Sequence, residues 1–209
     1  SVLGLGFLAV RDFLSFLRNG TSDENMQPNP LVEGETRTEK VYAWGISQSG
    51  RYLREFVYSG YNQGPNIQRV FDAIWPHVAG AGRIWLNGRF AQPGRYPCQQ
   101  TDHTYPSDQF PFAYSTTTDH LTGIADGIMK RPESDPLLFH TQTSAEYWER
   151  RGSLAHTTTS GHDLAPPDNV RMYMYAGAQH SNQPHDPPEL GPHRHLTKPH
   201  NITTIHRAL

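Results

Sequence analysis

A chain of 209 residues with a formal net charge of −2 can bury one substantial core, and it has no broad field to mark nucleic acid or a membrane surface as partner. Hydrophobic residues at 35%, aromatics at 11%, 18 glycines and 17 prolines fit a globular domain with long irregular excursions rather than a disordered chain. Cys98 is the only cysteine, which excludes an intrachain disulfide and a thiolate metal cage, and no apolar run reaches the ~18 residues that predict a membrane span.

Residues 3–18 read as a helix, with Leu5, Leu8, Ala9, Phe13, Phe16 and Leu17 on one face and Asn19-Gly20 as the stop. The apolar start has no basic stretch before it, so it reads as an amphipathic helix and not as a signal peptide; the compartment stays open. Val41-Tyr42-Ala43-Trp44 is an all-apolar run expected to be a strand buried on both faces. It breaks into Gly45-Ile46-Ser47-Gln48-Ser49-Gly50, after which a helical period resumes over residues 51–58. Residues 70–78 are a second strand candidate, 137–142 a third and 170–176 a fourth, with a helical segment over 145–151. Between 83 and 120 prolines interrupt every pattern, which predicts a long excursion folded over the site; core packing explains most of the aromatics Phe110, Phe112 and Tyr114, and the alternative is a lid whose aromatics shape an acyl or aryl pocket. Residues 181–209 form an irregular tail rich in His and Pro. Strands alternating with helices predict one α/β domain built on an open, mostly parallel sheet.

The turn at Ser47 carries the chemistry. A serine between a strand and a helix, flanked two residues away by the small Gly45 and Ser49, has the context of a nucleophile elbow. Such a turn lifts the hydroxyl above the sheet edge. It also aims the positive end of the next helix, and the N–H of Gln48, at a developing oxyanion. Ser49 is the weaker candidate, because one of its own flanks would be the bulky Arg51. The plain alternative is a serine that merely caps a helix.

A serine hydroxyl needs a general base, and the base needs an orienting acid. His180 lies directly after the fourth strand and the flexible Gly177-Ala178-Gln179. Its rivals His185, His193, His195, His200 and His206 lie in the tail, while His156 and His162 precede the last strand. Glu146 is the first carboxylate after the third strand, whereas Asp119, Asp126 and Asp135 come before it. The alternative for Glu146 is a helix-start carboxylate that interacts with the dipole.

Several stretches in order resemble the alpha/beta hydrolase domain family of the α/β-hydrolase superfamily. They are Gly4-Leu5-Gly6-Phe7-Leu8-Ala9-Val10-Arg11-Asp12, Ser47-Gln48-Ser49-Gly50-Arg51-Tyr52-Leu53-Arg54, and Asn87-Gly88-Arg89-Phe90-Ala91-Gln92-Pro93, followed by residues 119–126, Glu146-Tyr147-Trp148 with Gly152-Ser153-Leu154, and Ala176-Gly177-Ala178-Gln179-His180. The resemblance implies a serine hydrolase with Ser47, Glu146 and His180 as triad, acting on a small-molecule carboxylic ester. It further implies that the sequence corresponds to the C-terminal catalytic portion of that fold, without the early strands and without the loop that gives the second oxyanion donor. A sheet lacking those strands exposes an edge beside residues 41–44, which association with another chain would complete. The rival function is therefore a catalytically inactive fragment serving as a structural or association module.

No cofactor and no metal site are expected. His193-Arg194-His195 is a weak ligand pattern, with neither a helical His-x-x-x-His pair nor cysteines beside it, and a metal-binding tail is the third and weakest reading. Arg51 and Arg54, after the elbow, are expected to form structural ion pairs rather than to meet an acidic substrate.

Overall fold

The computed structural model describes residues 4–65, 67–84, 86 and 109–180. In chain order these form α1 (Leu5–Asn19), β1 (Tyr42–Ile46), α2 (Gln48–Tyr58), β2 (Ala73–His77), β3 (Thr117–Thr118), β4 (Ala125–Asp126), β5 (Leu137–Thr143), α3 (Ser144–Glu149), a short 3-10 helix (Gly152–Ala155) and β6 (Val170–Tyr175). Strands β1, β2, β5 and β6 lie side by side in that order, every pair parallel. This is the flanked, parallel sheet of an α/β-hydrolase-like fold. The tail and most of the expected lid lie outside the described residues.

The helices end where their chemistry stops them. Asn29, buried in the loop, donates its amide to the carbonyls of Phe16, Leu17 and Gly20 at 3.1, 2.9 and 2.8 Å, satisfying the last turn of α1. Helix α2 closes on Gly60 at φ +84°, with the Gly60 and Tyr61 amides bonded to the Val57 and Phe56 carbonyls at 3.0 and 2.9 Å. That pairing is a Schellman stop, and it requires a residue free to adopt the left-handed region.

Ala43, Ile74, Leu138 and Val170 stand in register across the four strands. Ile74, Leu138 and Val170 are buried in one core with Leu53, Phe56 and Val57 of α2. Helix α1 joins that core through Phe7, stacked on Tyr52 at 4.6 Å and on Tyr61 at 5.2 Å. The other face of the sheet corrects the expectation of a strand buried on both sides: Tyr42 is 70% and Trp44 56% exposed. Rings cross that face strand by strand, from Trp44 to Trp75 (5.7 Å), Phe139 (5.4 Å) and Tyr173 (5.1 Å). An all-apolar run says that a strand has two apolar faces. It does not say that both are covered.

Of two further expectations, core packing of the aromatics stands and the Arg54 ion pair does not. Phe112 and Tyr114 are buried in the same core as Ile128 and Met129, so these two rings pack the domain and do not line a pocket. Arg54, only 2% exposed, forms no ion pair among the described residues. Its guanidinium donates to the Phe112 carbonyl at 2.5 Å and to that of Ala81 at 3.2 Å, and it lies over the Tyr114 ring at 4.6 Å. Carbonyl dipoles and a π face take the place of a carboxylate.

Candidate active site

Because the four strands are parallel, the residues that follow β1, β5 and β6 all leave the sheet at its C-terminal edge. This is where open α/β sheets place their ligands. Ser47 follows β1, the α3 turn holding Glu146 follows β5, and His180 lies five residues beyond β6.

Ser47 has φ +56° and ψ −115°, a conformation that L residues rarely adopt. Its amide donates to the His77 carbonyl at 2.8 Å, which ties the turn to the end of β2. The crossing is too tight for side chains at two places. A Cβ on Gly45 would lie 2.5 Å from the Ser49 carbonyl oxygen, and one on Gly50 would lie 2.8 Å from that of Gly45 and 2.9 Å from the Ala79 Cβ. Gly50 thus belongs to the turn as much as Gly45 does. Gln48 opens α2, so its N–H is one of the first-turn amides without an intrahelical acceptor. Val78 also has a positive φ, +46°, in the loop after β2 that packs beside this turn.

Glu146 is fully buried, at 0% exposure. Both the amide of Thr143, at 2.9 Å, and the Thr143 hydroxyl donate to its Oε2. Its Oε1 meets His180 Nδ1. Burial pushes the Glu146 carboxyl up, but the hydrogen bonds from His180 and Thr143 outweigh it and hold the group below its usual range. An ionised carboxylate only accepts, so His180 Nδ1 carries the hydrogen that Glu146 receives. The His180 side chain is 40% exposed, open to solvent. Glu146 stands in the first turn of α3 and also contacts the histidine.

The rival groups are engaged elsewhere. Asp126 accepts from Tyr58 and Lys130, both at 2.8 Å. Asp119 accepts from the Thr122 hydroxyl at 2.7 Å, and Asp135 from the Arg131 amide at 2.7 Å. His156 stacks on Tyr147, and His162 is an exposed loop residue. The rivals in the tail lie outside the described residues. Among the hydrogen bonds of the described residues, none joins Ser47 Oγ to His180, so the site consists of a preformed Glu146–His180 pair and a separately shaped serine turn.

Two buried histidines support this edge of the sheet. His77 Nδ1 lies 2.6 Å from the Thr141 hydroxyl, which also accepts from Trp75 Nε1 at 2.7 Å. His140 Nδ1 lies 2.6 Å from Tyr114 Oη, and burial, then the Arg54 cation, hold its imidazole well below the ordinary histidine range. Sequence reasoning singled out neither, nor Thr143, although the Thr143-x-x-Glu146 spacing is a capping-box pattern. An apolar groove of about 490 Å³ lies over the uncovered sheet face, lined by Tyr42, Trp44, Trp75 and Phe139. It includes Tyr42, Ala73 and Leu137, which begin their strands, and so reaches toward the end of the sheet opposite Ser47. Among the described residues no group of three or more His, Cys, Asp or Glu is placed to hold a metal ion, and no helix is long and apolar enough to cross a membrane.

No curated protein and no solved structure matches the chain. A family model described as "Alpha/beta hydrolase domain" matches residues 3–207, nearly the whole sequence. With a parallel sheet whose strand ends carry a left-handed serine turn and a carboxylate-bound histidine, the chain belongs to the alpha/beta hydrolase domain family.

Proposed function

We propose that this hydrolase-family chain is a carboxylic-ester hydrolase working through an acyl-enzyme, with Ser47, His180 and Glu146 as its triad. The observation that carries the proposal is the buried, ionised Glu146 bonded to His180 Nδ1 at the sheet edge where Ser47 turns. His180 Nε2 takes the proton of Ser47 as Oγ attacks the ester carbonyl, and the carbonyl electrons move onto oxygen. The Gln48 N–H, at the positive end of α2, meets that oxyanion. The tetrahedral adduct collapses, the bond to the alcohol breaks, and His180 returns the proton to the departing alkoxide. Water then repeats the cycle on the acyl-enzyme and releases the acid. The catalytic hydrogen bond from Ser47 to His180 tightens in the substrate complex, a common behaviour of hydrolase sites.

A fluorophosphonate probe tests this, because it forms a P–O bond to an activated serine and expels fluoride. Labelling of Ser47 in the full chain, abolished by S47A and by H180A, is the expected result. No labelling in a folded sample overturns the active-enzyme reading. It would favour the second one, a non-catalytic association module, for which the exposed Tyr42 and Trp44 at the β1 edge speak.

A further inference from the structure

We infer that the dipeptide Thr143-Ser144 is the positioning unit of this site: Thr143 fixes the acid and Ser144 fixes the loop that carries the histidine. The inference rests on the triad reading and adds to it two residues that touch neither serine nor substrate. Thr143, fully buried, is the last residue of β5 and pairs in register with Tyr175, the last residue of β6. From there its N–H and hydroxyl both reach Glu146 Oε2, which leaves Oε1 for His180. Two donors on one oxygen fix the carboxylate plane, so the direction of Oε1 is set before the imidazole arrives.

Ser144 works on the other partner. Its Oγ accepts the Gly177 N–H at 2.8 Å. Gly177 stands at φ +76°, in the turn that leads from β6 to His180. The next residue, Ala178, is buried, and its amide bonds back to the Tyr175 carbonyl at 3.3 Å. The bond from Ser144 therefore pins the base of the histidine loop to the turn that holds the acid. Adjacent residues set both halves of the Glu146–His180 contact. The Thr143 amide bond to Glu146 is the capping box of α3, but capping does not explain the Ser144–Gly177 bond, because a cap needs no tie to a loop after another strand.

The test compares T143V, T143S and S144A with the wild-type full chain by the pH dependence of fluorophosphonate labelling and by the low-field proton resonance of the His180–Glu146 hydrogen bond. Valine matches threonine in shape and removes the hydroxyl, so the Glu146 carboxylate loses a donor and protonates more readily. T143V should slow labelling on the order of 100-fold, move its acid limb to higher pH and weaken the low-field signal. T143S should restore all three. S144A should slow labelling at every pH and leave the acid limb in place. Thermal unfolding of each variant shows that it is folded. A folded T143V with wild-type rate, acid limb and low-field proton overturns the inference, as does a T143S that behaves like T143V. If the wild-type chain itself is not labelled at Ser47, the triad reading fails. The low-field proton then decides Thr143 alone: its loss in T143V and return in T143S sustain the positioning role, and its persistence in T143V ends it.

Discussion

Glu146 spends its two oxygens differently, one on the start of its own helix and one on a histidine 34 residues away. The folded protein holds this carboxyl below its usual range, so the unfolded chain takes up the proton first as pH falls. The stabilisation is therefore complete above the ordinary glutamate value, roughly 4.3, and is lost as pH drops through the lower folded value. E146Q should remove this acid-side slope, so urea-unfolding free energies of wild type and variant should converge between about pH 5 and about pH 3. The same change should slow Ser47 labelling by on the order of 10³–10⁴-fold at neutral pH, because a neutral amide no longer selects the tautomer. At this scale the sequence was legible where chemistry and local order coincide. The tight turn at Ser47 was readable from strand, turn and helix, and the places of Glu146 and His180 after β5 and β6 from the strand order. Gly50 escaped because its constraint is contact with Gly45 across the turn, and His77 because it acts on Ser47 through its backbone carbonyl.

Helix α1 depends on few side chains. Phe7 is 2% exposed and is the helix's buried residue, held among Tyr52, Phe56 and Tyr61. F7A should cost about 3–5 kcal/mol in denaturant unfolding, the range for removing a buried aromatic. Amide exchange should show α1 losing protection before the sheet does. A second tie holds the far end of the helix, where Arg18 meets Asp72 at 3.0 Å and the Val41 amide donates to the same carboxylate at 2.9 Å. Burial pushes the Asp72 carboxyl up, but the Val41 amide and Arg18 bring it below the usual range. Element order was readable because the hydrophobic period changes between strand and helix. The boundaries moved by at most three residues. Helix α2 begins at Gln48 because the strained Ser47 already faces its first carbonyl toward the Arg51 amide. Likewise β5 runs on to Thr143, whose pairing with Tyr175 no periodicity encodes.

For the whole molecule, alternation of strands and helices sufficed to foresee a parallel sheet, and a parallel sheet sufficed to bring three separated residues to one edge. What sequence could not convey was which surfaces meet. Phe112 and Tyr114 sit in a stretch with no period, yet they are buried in the main core, where Arg54 of α2 meets the Phe112 carbonyl and the Tyr114 ring. Tyr42 and Trp44 sit in a strand with perfect apolar character, yet they face outward. That outward face gives the molecule an optical signature. Trp44 and Trp75 lie 5.7 Å apart on paired strands, and the Trp75 indole is locked by its bond to Thr141. Two indoles so close in a fixed chiral arrangement couple their transitions, so the far-ultraviolet circular dichroism should carry an exciton couplet that W44F abolishes while the fold persists. The couplet would then report the β1–β2 pairing directly beneath the Ser47 turn, and its fading on heating, earlier or later than loss of helical signal, would time the opening of the sheet.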